Sequence, residues 1–66
     1  MDRVSAIIEW EQGTLDAHGM VELFADLIRT GDAWTLQGSY GRTAKALIDR
    51  GYILPDGTLT AQGEEV

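Results

Sequence analysis

LDAHGMVELFADLIRTG, residues 15–31, decides the fold class. Asp16 stands where an N-cap side chain accepts from the backbone N–H groups of a first helical turn, and Leu15 before it can staple onto Met20. The glutamate that would complete a capping box is missing, because that position is Gly19. Met20, Leu23, Phe24, Leu27 and Ile28 then recur at helical spacing, with Glu22, Asp26 and Arg29 on the other side. Gly31 supplies the stop. The stretch therefore predicts a helix over residues 17–30 whose wide apolar stripe needs neighbours.

Those neighbours lie on either side. Val4, Ile7 and Ile8 predict a first amphipathic helix over residues 3–12, capped by Asp2 and ended by Gly13. Its stripe is short, and an isolated helix of this length is marginal in water. Downstream, DAWTLQG (residues 32–38) reads as a turn and a break, with a short helical turn capped by Asp32 as the alternative. Ser39 can cap a third helix over residues 40–50 with a buried line of Tyr40, Ala44, Leu47 and Ile48, stopped by Gly51. In YILPDGTLT, residues 52–60, two runs of strand formers flank Pro55-Asp56-Gly57, which predicts a short β-hairpin. The expected fold is mainly α: a compact three-helix domain, residues 1–66, with a short C-terminal β-hairpin and a winged-helix-like order as its alternative.

With 66 residues and no cysteine, the chain has neither disulfide nor thiolate-bound metal to support it, so a good core or a second copy must do so. No apolar run approaches the roughly 20 residues that cross a bilayer, and MDRVSAII lacks the basic flank of a signal peptide. These features lead to the expectation of a cytosolic protein with no membrane association. The net charge is −6, divided as −4 over residues 1–31, +1 over residues 32–54 and −3 over residues 55–66. The overall balance disfavours nucleic acid, since the field repels phosphate. Most of the basic charge follows LQGSYGR, residues 36–42, in Arg42, Lys45 and Arg50.

Catalytic chemistry finds few groups to use. His18 is the single histidine, with Glu22 and Asp26 at helical spacing, whereas a zinc site needs three or four convergent ligands. A solvated helix face accounts for the three residues better. Ser5 and Ser39 have no histidine in a nucleophile arrangement. Glu9 and Glu11 are two apart on a helix and do not face each other. The chain is expected to be no enzyme and to hold no cofactor or metal.

Gly38-Ser39-Tyr40-Gly41 has the form GxxG, and a glycine-rich helix entry exposes N–H groups to anions. A phosphate loop needs a longer glycine run ending in lysine and serine or threonine, and the GxxG clamp of KH domains needs a sheet. Close helix packing at the two glycines is the plainer reading. Trp10, off the first helix's stripe, either anchors a partner or closes the core; Trp34 is assigned to the core. The candidate binding residues, for a protein or an anion, are Trp34, Gln37, Ser39, Tyr40, Arg42 and Lys45.

Two resemblances bear on these residues. Residues 20–63 resemble the closing half of winged-helix domains, in which a helix runs into a Gly-aromatic-Ile strand, a wing and a Leu-Thr-x-x-Gly turn. This implies Ser39, Tyr40, Arg42, Thr43 and Lys45 in a major groove and residues 56–58 at the wing tip. Residues 23–53, by ELF-x-x-L-I, G-x-A-W-x-LQG-x-YGR and L-I-x-x-G, are similar to small phage-encoded accessory proteins, mostly from phages of actinobacteria. That resemblance implies a regulatory or host-directed role and supplies no catalytic residues. The expected function is a non-enzymatic module that binds a host or phage protein through residues 34–42 and any exposed face of the first helix, with self-association as a further expectation. A small winged-helix DNA-binding regulator is the alternative.

Overall fold

The computed structural model describes residues 3–36 and 38–66; the expected cap Asp2 and the candidate contact Gln37 lie outside the described residues. In chain order the elements are α1 (Arg3–Gln12), α2 (Ala17–Thr30), a 3₁₀ turn (Asp32–Trp34), α3 (Gly38–Asp49) and a short α4 (Ala61–Glu64).

Asp16 caps α2 as the sequence predicts, its carboxylate accepting from the Gly19 amide at 2.7 Å. Leu15 folds over Gly19 so closely that a Cβ there would lie 2.7 Å from Leu15 Cδ1. Replacing Asp16 by alanine is expected to cost about 1 kcal/mol, read as a lowered urea midpoint with unchanged slope. At the far end Gly31, at φ +86°, returns its amide to the Ile28 carbonyl. α2 is the central element. Leu23, Phe24, Leu27 and Ile28 are buried as expected, and so are Val21 and Ala25 on a second side of the helix.

α1 has the predicted bounds but a different rotation. Its inward side carries Ala6, Ile7 and Trp10, while Val4 (68% exposed) and Ile8 (48%) face out. Two forces set this angle. Trp10 has more apolar surface to bury than a valine or an isoleucine, and it meets Phe24 at 5.1 Å and Tyr40 at 4.7 Å between ring centroids. On the same side Arg3 reaches α2, pairing with Asp26 at 3.5 Å and with Asp32.

The 3₁₀ turn over Asp32–Trp34 is the short helical turn of the alternative reading, but Gly31 stands at its cap position and Asp32, inside it, makes no capping hydrogen bond. Ala33 points inward, fully buried, and Trp34 points outward. α3 begins at Gly38, so Ser39 lies inside its first turn instead of capping it. Tyr40, Ala44 and Leu47 form the buried line, with Ile48 partly buried beside them.

The hairpin expected over residues 52–60 is not formed. Among the described residues there is no strand, only one antiparallel bridge between Ile53 and Leu59. The crossing keeps two backbone bonds, Thr60 N–H to Tyr52 O at 3.1 Å and Leu54 N–H to Thr58 O at 2.8 Å, but beyond it each flank is drawn into a helix end. The Tyr52 amide donates to Leu47 O at 3.0 Å and Gly51 (φ +85°) donates to Ile48 O, a Schellman closure that keeps Tyr52 attached to α3. Thr60 turns into α4 as its N-cap, accepting from the Gly63 amide at 3.0 Å. One residue pair is all that remains to bridge.

Candidate functional site

Around LQGSYGR the 3₁₀ turn and the first half of α3 make one surface. Trp34 is 52% exposed and Leu36 42% exposed, although the sequence reading placed Trp34 in the core. A 3₁₀ turn advances about 120° per residue, so burying Ala33 carries Trp34 outward. Its indole rests on α3 beside Gly41, where a Cβ would be 3.8 Å from Trp34 Cε3 and 3.6 Å from Ala33 O. Those are ordinary contact distances, so the crossing does not require a glycine there. At Gly38 a Cβ would meet only Arg42 Nη1, at 3.5 Å. The expectation that these glycines permit close helix packing is therefore corrected: Gly38 is exposed with only the Arg42 guanidinium near it, and Gly41 is half-buried beside the Trp34 indole at ordinary contact distance.

Arg42 is exposed, and among the described residues neither Arg42 nor Arg50 enters a salt bridge. Lys45, one turn along, is held by Asp49 at 3.1 Å. Ser39 is half-buried in the first turn. Gln37 lies outside the described residues.

Tyr40 departs most from its expected place on the surface. It is 3% exposed, its ring packed with Trp10 and Phe24, and its hydroxyl donates to Glu11 Oε2 at 2.5 Å. Burial, with the Glu11 hydrogen bond and charge adding to it, pushes the phenol up from 10.0 to about 12. The folded state thus favours the neutral phenol. That contribution is complete below pH 10, the unfolded value, and is lost as pH rises toward 12. Tyr40→Phe is expected to lose about 1–2 kcal/mol at neutral pH. Its deficit relative to the wild type should shrink between pH 10 and 12, which urea unfolding of the two proteins side by side would measure. A deficit constant across that range would mean that Tyr40 titrates as it does in the unfolded chain.

A groove of about 460 Å³ separates α1 from the start of α2, lined among others by Arg3, His18, Glu22 and Asp26. Its charges are already matched. Asp26 pairs with Arg3 and Arg29, Glu22 lies 3.3 Å from His18 Nε2, and Asp16 caps α2. No group of three or more metal-binding side chains occurs among the described residues.

The turn that the winged-helix resemblance would make a wing lies flat. Gly57, at φ +94°, is buried against α2, where an added Cβ would be 2.7 Å from Ala25 O and from Arg29 N. Asp56 faces water and accepts from the Thr58 amide at 2.9 Å, which lowers its carboxyl below the usual range. No signal in the sequence marked this docking. The second buried side of α2, Val21 and Ala25 four apart, was the available clue.

A family model described as a domain of unknown function, DUF7417, matches residues 1–66. Comparison with curated proteins and with solved structures gives no match. No described helix is long and apolar enough to cross a membrane.

Proposed function

The chain belongs to the DUF7417 family, a domain of unknown function, and from its surface we propose that it is a non-enzymatic interaction module of the phage accessory kind, binding a host or phage protein. One observation carries the reading. Trp34 and Leu36 stand about half exposed near Arg42, which makes no salt bridge among the described residues, on a chain whose other aromatic side chains have places in or against the core. Tryptophan and arginine are the residues that most often anchor protein interfaces, since each covers much area for little lost freedom. Tyr40 supports this surface from below and takes no direct part in it.

A photo-crosslinking side chain at position 36, compared with one at position 54 in the cell that harbours the gene, tests the proposal. Leu54 is similarly exposed, at 46%, but belongs to the turn after α3. A defined adduct from position 36 and none from position 54 is expected. Adducts from 54 alone would move the interface off this surface.

A further inference from the structure

We infer that the segment docking on this surface is acidic and carries an apolar anchor, so that a carboxylate meets Arg42 while an aliphatic or aromatic side chain covers Trp34 and Leu36. The inference rests on the interaction reading above and adds the chemistry of the partner.

Charge complementarity carries it. Residues 1–31 and 55–66 hold net charges of −4 and −3, and only residues 32–54 are net positive, at +1. At physiological ionic strength the Debye length is about 8 Å, so a segment lying on this face senses the local side chains more than the sum over the molecule. Locally, Asp49 neutralises Lys45. Asp32 is occupied by Arg3. Arg42, exposed and without a salt bridge among the described residues, is left to be matched. A basic segment would instead be drawn to the acidic faces of α1 and α2.

The same geometry favours a protein segment over a nucleic acid. A duplex is held by several cations in a row, commonly with a projecting wing. Here Lys45 is engaged by Asp49, and the turn containing Gly57 is folded onto α2. Trp34 and Leu36 offer apolar area that phosphates do not use.

Random peptides displayed and selected on the whole chain test this directly. Selected peptides are measured by fluorescence anisotropy against the wild type, Trp34→Ala and Arg42→Glu, with circular dichroism confirming that each variant is folded. The expected peptides are rich in Asp or Glu around a large apolar residue, and each variant weakens them by about tenfold or more. Neutral or basic peptides that lose binding in Trp34→Ala but not in Arg42→Glu would overturn the acidic partner while leaving the surface in place. If no peptide depends on Trp34 or Arg42, both the inference and the surface fail. Displacement of the peptides by a short DNA duplex at physiological salt would replace the protein segment with a polyanion.

Discussion

Gly57→Ala and Gly63→Ala are each expected to lower stability by about 3 kcal/mol, through contacts that a methyl group cannot share. At Gly63 the added Cβ would lie 2.1 Å from the Tyr52 carbonyl oxygen and 3.1 Å from its carbon. That carbonyl has little freedom to retreat, because it accepts from the Thr60 amide and hydroxyl, both at 3.1 Å. Relieving the overlap means lifting α4 off the chain at Tyr52 and giving up the Thr60 cap. At Gly57 two costs combine: φ of +94°, which L side chains rarely adopt, and approaches of 2.7 Å to Ala25 O, Arg29 Cβ and Arg29 N. In a domain of this size 1 kcal/mol corresponds to roughly 4–8 °C, so each variant should melt about 12–24 °C lower. Gly19→Ala is the internal control. Its close neighbours are side-chain atoms, Leu15 Cδ1 at 2.7 Å and the capping Asp16 Oδ1 at 3.0 Å, which can shift where a backbone cannot, and the gain in helix propensity of about 1 kcal/mol offsets the adjustment. If all three variants melt alike, the C-terminal segment does not dock on α2 as described.

Phe24→Ala should remove about 3–5 kcal/mol. Phe24 has no exposed surface, and its ring is 5.1 Å from Trp10 and 6.1 Å from Tyr40 between centroids. These three side chains join α1, α2 and α3, so the space left by Phe24 opens where the helices meet. At roughly 0.05–0.15 kcal/mol per residue the whole domain is stable by about 3–10 kcal/mol. A loss of about 3–5 kcal/mol is a large part of that, and the variant is expected to melt about 12–40 °C below the wild type, with weakened near-ultraviolet dichroism from Trp10. Phe24→Leu, which retains most of the volume, should stay folded with a smaller loss. A cooperative transition for Phe24→Ala within about 1 kcal/mol of wild type would place the main core elsewhere.

Much of this was legible before any coordinates, and the reason is local. Asp16, Gly13, Gly31 and Gly51 bound their helices through hydrogen bonds and dihedral angles that reach only a few residues along the chain. The buried line of α3 through Tyr40, Ala44 and Leu47 follows from 3.6-residue periodicity alone. The same line told against Tyr40 as a contact residue, since one side chain cannot belong to both the buried line and the outer face. Of the candidate surface, Arg42 and Lys45 were visible as exposed charge, but Lys45's engagement with Asp49 was readable only as a spacing of four.

What the sequence by itself determined is the extent of α1 and α2, the end of α3 to within a residue, and that α2 is the central, most apolar helix. Tertiary structure decided the rest. It turned α1 about its axis, because competing stripes on a short helix differ by little until Trp10 finds Phe24 and Tyr40. It put Trp34 outside, because a 3₁₀ turn, unlike an extended break, couples a buried Ala33 to an exposed neighbour. It also replaced a hairpin by one bridge and a docked turn, because the Tyr52 amide closes α3 and Thr60 caps α4, so the pairing cannot extend beyond Ile53 and Leu59. Each of these choices compares contacts far apart in sequence, and local preference carries no term for them.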